Sequence, residues 1–188
     1  MRERPIMPGR ARRVTAEEFA RIPDDDHRYE LVEGRLVRMT PPGSRHAVVA
    51  TRIAMLLQQY ADARRLGVVM TSGGFRIRTS PDTVREPDVA FVSRDRIPAS
   101  GVPDGFWQGP PDLAVEIVSP TDRRLAVAAK ANEYLARGVR LVWVVEPSRG
   151  EVTVYQPGAP PTTLGAEDVL DAGDVIPGFT CAAQRFFE

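Results

Sequence analysis

A single lysine stands among the 25 basic residues of this 188-residue chain. Lys130 follows Glu116 by fourteen positions, and Glu116 is the one acid in the apolar run Leu113-Ala114-Val115-Glu116-Ile117-Val118. An ionised carboxylate flanked by Val115 and Ile117 in a covered strand costs several kcal/mol unless a cation or a metal faces it. Asp88 heads a second apolar segment, Asp88-Val89-Ala90-Phe91-Val92, and offers a second oxygen ligand. Two carboxylates leaving neighbouring strands suit a hard divalent cation, Mg2+ or Mn2+, which takes few protein ligands and keeps waters for hydrolysis. An ammonium beside them supplies a compact, deprotonatable charge that guanidinium cannot replace. The rival account is structural: an arginine pairs with Glu116 to hold the sheet together, and Lys130 is a remnant in a chain that otherwise uses arginine.

Composition narrows the classes. Hydrophobic residues make up 43% of the chain, enough at this length for one domain with a packed core. That domain is expected over 14–188, behind a basic, proline-containing disordered tail at 1–13. Acids and bases balance at 25 each, so no whole-molecule field draws the chain to nucleic acid or to an anionic membrane, and any such contact must be local. One cysteine, Cys181, forbids an intrachain disulfide, and with only His27 and His46 there is no zinc spacing. A reducing, cytoplasmic location is expected. No segment approaches the ~20 apolar residues of a membrane span.

The elements that must position these side chains follow from periodicity. Thr15 with Glu17 and Glu18 opens a short helix that ends before Pro23, and Tyr29 to Met39 alternates as a hairpin turning at Gly34. Ser44 to Leu66 carries apolar residues at three- and four-residue spacing and ends before Gly67, which predicts a long helix. Strands are expected at 68–70, 74–78 and 85–92, then a long loop from Ser93 to Pro111 that serves as a lid or a connector. Leu113 to Val118 and Arg140 to Glu146 read as buried strands, joined by a helix from Asp122 to Arg137 and therefore parallel. Glu151 to Tyr155 closes a hairpin, and the remainder forms short edge strands. The fold class is α/β, with a mixed central β-sheet flanked by α-helices.

Glu86-Pro87-Asp88 followed by Glu116, in strands succeeded by a helix, resembles the PD-(D/E)XK nuclease superfamily. A closer likeness is carried by Tyr29-Glu30-Leu31-Val32-Glu33-Gly34, His46 at a helix start, Pro87-Asp88-Val89-Ala90 and Glu116-Ile117-Val118-Ser119-Pro120-Thr121-Asp122. Lys130 with Glu133-Tyr134, Gly138-Val139 and Pro177-Gly178-Phe179 follow. In this order, over 14–187, they resemble the Uma-two family of restriction endonucleases. The resemblance implies a restriction-endonuclease-like fold, with Asp88 and Glu116 as metal ligands and Glu30 as an additional upstream acid. The superfamily lysine stands two residues after the glutamate, where this chain has Val118. The narrower family implies a lysine displaced onto the following helix, Lys130. On a helical wheel Lys130 lies near Arg123 and Arg137, at the apolar edge marked by Val127 and Tyr134, so it can snorkel outward or reach inward, and both remain open.

We therefore expect a Mg2+- or Mn2+-dependent endonuclease that hydrolyses DNA phosphodiester bonds, with Glu30, Asp88, Glu116 and Lys130 catalytic and His46 auxiliary. DNA is the expected partner, and double-strand cutting by such a fold implies paired sites in a homodimer. The rival is a catalytically silent nuclease-fold module that binds DNA or protein, and a third reading is hydrolysis of a smaller phosphoester. His46 either touches phosphate or water or caps its helix. Ser119 and Asp122 turn the chain and cap the next helix. Arg76 and Arg78 contact a phosphate backbone or are simply solvated.

Overall fold

The computed structural model describes residues 12–23, 27–120 and 122–188. Most of the tail expected at 1–13 lies outside these residues. The helices are α1 (Ala16–Phe19), α2 (Ser44–Arg64) and α3 (Arg124–Ala136). The strands are β1 (Tyr29–Val32), β2 (Arg35–Arg38), β3 (Gly67–Thr71), β4 (Phe75–Arg78), β5 (Thr83–Arg85), β6 (Val89–Ser93), β7 (Trp107–Gln108) and β8 (Leu113–Ile117). They continue with β9 (Leu141–Glu146), β10 (Glu151–Tyr155), β11 (Thr162–Leu164), β12 (Val169–Asp171) and β13 (Thr180–Ala182).

A mixed six-stranded sheet, in the order β11-β10-β9-β8-β6-β3, forms the centre. Only β8 and β9 are parallel in it, in register from Leu113↔Leu141 to Ile117↔Val145, and α3 makes the crossover between them, as the strand-helix-strand pattern predicts. α2 buries Val49, Ile53, Leu57 and Ala61 against one face, among Val89, Val115 and Trp143. α3 covers the other face with Ala131 and Tyr134, against Ala90, Ala114 and Val142. The two faces of β8 thus both need apolar residues, and its run of aliphatics supplies them. A second sheet has the order β2-β1-β5-β4-β7, of which sequence alternation predicts the pairing of the hairpin only. That hairpin turns at Glu33 and Gly34, both at positive φ, the conformation a two-residue turn between twisted strands requires.

Three expectations change. The strand expected at 85–92 is cut at Glu86-Pro87: β5 pairs with β1 and β4, whereas β6 pairs with β3 and β8. Proline lacks the amide a ladder needs, so the chain leaves one sheet and enters the other there. The loop at 93–111 is pinned rather than free: Trp107 packs 6.3 Å from Phe75 and Phe106 stacks 5.2 Å from Phe19. Finally, α3 starts at Arg124 without a side-chain cap, because the Asp122 carboxylate accepts the Ser119 amide at 2.8 Å and closes the preceding turn instead.

Candidate active site

The crossing at Pro87 places Asp88 on the seam between the two sheets. Antiparallel pairing runs Val89↔Val115 and Ala90↔Ala114, so Asp88, just ahead of β6, comes next to the end of β8 that carries Glu116. Asp88 is anchored at both oxygens: Oδ2 accepts the Ile117 amide at 2.7 Å, and Oδ1 lies 2.9 Å from His46 Nε2. The other His46 nitrogen is 3.4 Å from Ser119 Oγ. Serine, histidine and aspartate stand in the order of a nucleophilic triad, but 3.4 Å is long for a bond that activates a hydroxyl.

Lys130 reaches inward. Its ammonium is 2.9 Å from Glu116 Oε2 and 3.0 Å from Glu30 Oε1, and its side chain is 14% exposed. It is two turns from Arg123 and Arg137, yet its stem carries the charge into the seam, where the ammonium also lies over the Tyr134 ring, 5.8 Å from the centroid. Tyr134, fully buried, donates its hydroxyl to Glu116 Oε1 at 2.8 Å. Glu30, 2% exposed, also accepts Arg85 Nη1 at 2.7 Å and the Glu86 amide at 3.0 Å. Arg85 in turn binds Glu133 of α3, with Nε at 3.1 Å and Nη2 closer.

The electrostatics divide these acids. Burial, reinforced by the negative charges of Asp88 and Glu30, pushes the Glu116 carboxyl up to about 7 against the pull of Lys130. Burial acts on Glu30 in the same direction, but Lys130, Arg85 and the Glu86 amide outweigh it and hold the carboxyl below its usual range. The hydrogen bond that His46 donates to Asp88, opposed by burial, raises His46. Lys130 is raised because Glu116 and Glu30 together overcome its desolvation. Lys130 is therefore a fixed cation at neutral pH, while Glu116 is balanced between its two forms.

Among the described residues, no three of His, Cys, Asp or Glu converge as a ready-made metal cage. Asp88 and Glu116 remain as a pair from adjacent strands, each oxygen bonded to a protein donor, while Glu30 is held by Lys130, Arg85 and the Glu86 amide. Two carboxylates from adjacent strands, beside the further negative charge of Glu30, are a donor set that a hard divalent cation fits by displacing their protein donors, water completing its coordination. The structure thus brings together Glu30, His46, Asp88, Glu116 and Lys130. Arg76 pairs with Glu17 and Asp82, and Arg78 pairs with Glu33. Sequence reasoning does not single out Arg85 or Tyr134 as site residues. Tyr134 is one helical turn after Lys130, a spacing that puts both on one face, but nothing local marks Arg85.

The Uma2 family model, described as "Putative restriction endonuclease", matches residues 16–184. A crystal structure from Anabaena variabilis, of a "putative nuclease belonging to DUF820", is similar over 93% of this chain and 97% of that one, with 19% identity and a TM-score of 0.80. That likeness identifies a restriction-endonuclease-like fold. A cryoEM structure of a DrdV-DNA complex aligns over 72% of this chain and 11% of that one, with 17% identity and a TM-score of 0.37. No curated protein matches the chain.

Proposed function

Since the chain belongs to the Uma2 family, we propose that it is a Mg2+- or Mn2+-dependent endonuclease that hydrolyses DNA phosphodiester bonds at the seam between its sheets. The observation that carries this reading is the convergence of Asp88 and Glu116 from adjacent strands with the Lys130 ammonium 2.9 Å from Glu116. Asp88 and Glu116 hold the ion, which when bound polarises the scissile phosphate and lowers the pKa of an attacking water. His46 and the Ile117 amide fix the rotamer of Asp88. Lys130, kept protonated by two acids, is a poor proton acceptor and instead offsets the charge that develops on the phosphoryl oxygens. Glu30 acts through Lys130 and not as a ligand.

The decisive experiment is calorimetric titration with Mn2+ and Mg2+, paired with cleavage of supercoiled DNA. Asp88→Asn and Glu116→Gln should each weaken metal binding and cleavage by on the order of 100-fold while circular dichroism stays native. Wild-type affinity in both variants would reject the site.

One observation favours a second reading, a silent module that binds DNA or protein: all four oxygens of Asp88 and Glu116 already have protein partners. Such a module binds its partner equally well with and without metal and cleaves nothing.

A further inference from the structure

Lys130 lies between two carboxylates at nearly equal distances, 2.9 Å from Glu116 and 3.0 Å from Glu30. The Glu30 side chain is the less exposed of the two, so an unbalanced Glu30 would draw the ammonium out of the site. What balances it is Arg85. One edge of its guanidinium binds Glu30 Oε2 on β1, and the other binds Glu133 Oε2 on α3. Glu133 is three residues from Lys130, on the same face of the helix. A single planar fork, 13% exposed, therefore ties the strand that carries Glu30 to the helical turn that carries Lys130. Only arginine has donors on two edges in this fixed arrangement.

We propose that Arg85 is the positioning residue for Lys130: by satisfying Glu30 and anchoring α3 through Glu133, it leaves the ammonium directed at Glu116 and the reacting phosphate. This inference rests on the nuclease reading for its kinetic consequence, but not for its structural one. The charges explain why a dedicated arginine stands here. Without Arg85, Lys130 would answer to two buried acids alone, and the less exposed one would hold it.

Because Lys130 is the only lysine, lysine labelled with 15N at Nζ gives one ammonium resonance in the intact chain. In wild type that resonance should be sharp and slow to exchange with water. Arg85→Met should shift and broaden it and lower kcat in Mn2+ by about tenfold or more with little change in KM. Arg85→Lys, which keeps the charge and so guards against simple unfolding, carries a second lysine and is therefore read by kcat alone, which should still fall because one ammonium cannot bind both acids. The double variant Arg85→Met/Glu30→Gln should regain part of both signals relative to Arg85→Met, since the neutral amide that replaces the Glu30 carboxylate no longer competes for Lys130. A purely structural arginine would give additive losses in that double variant. An unchanged resonance in Arg85→Met, an unchanged kcat in Arg85→Lys, or additive losses in the double variant, overturn the proposal. If wild type cleaves no DNA but the resonances behave as described, the positioning role stands and the nuclease reading falls.

Discussion

Tyr134 is where the chemistry of the site depends most on one atom. Its hydroxyl is the donor to Glu116 Oε1, and a hydrogen bond to the ionised form of a buried carboxylate favours that form. Tyr134→Phe should therefore raise the Glu116 carboxyl beyond about 7, so that at neutral pH a larger fraction must lose a proton before a cation binds. Mn2+ affinity at about pH 7 should fall several-fold and recover towards wild type at about pH 9, with about 1–2 kcal/mol lost in urea denaturation for the oxygen left without its partner. An affinity deficit that does not depend on pH would assign Tyr134 to packing alone. Such partners explain why the site is only partly legible in the sequence. Glu116 and Asp88 announce themselves as acids in apolar runs, and Lys130 by being alone. Arg85 does not, because its meaning lies in Glu30, 55 residues away in sequence, and no local pattern encodes that pairing.

The β8-α3-β9 unit is readable because its signals are local: two aliphatic runs, a helical spacing between them and Gly138 at the stop. Gly138 adopts φ +96, which a side chain tolerates poorly, and there the helix that carries Lys130 turns into β9. Gly138→Ala should cost about 1–2 kcal/mol in urea denaturation, since the strain is in the backbone, while a Cβ would meet only Pro110 at 3.6 Å. A neutral substitution would mean that the turn relaxes easily. The five-stranded sheet is less readable for the opposite reason. β5 and β7 have three and two residues, too short for alternation to be visible, and they are strands only through their partners, β1 and β4 for β5 and β4 for β7. The break at Pro87 is half legible: proline sets the regular part of the 85–92 strand after it, but only the sheet to which each half pairs reveals the crossing.

At the scale of the whole molecule, charge balance makes the site rather than the surface the main determinant of how pH acts near neutrality. Glu116 is raised from 4.5 to about 7, so the folded chain holds its proton more tightly than the unfolded chain. Stability from this group is lost as pH rises through that window, and the full penalty remains above it. His46 is also raised, so its contribution is complete below 6.5 and is lost as pH climbs through its folded value. Glu30 and Asp82 are lowered and act at the acid end, where their contributions vanish as pH falls below the ordinary carboxylate range. Metal-free protein should therefore be most stable at roughly pH 5–6 and lose Tm towards about pH 8. A divalent cation reverses the alkaline limb, because it takes the place of the Glu116 proton and binds the folded chain alone. The Tm increase produced by saturating Mg2+ should be clearly larger at about pH 8 than at about pH 6, and Glu116→Gln should abolish that pH dependence. Scanning calorimetry of the two proteins at both pH values measures it, and an equal Mg2+ increment at the two pH values in wild type would remove Glu116 from the ligand set.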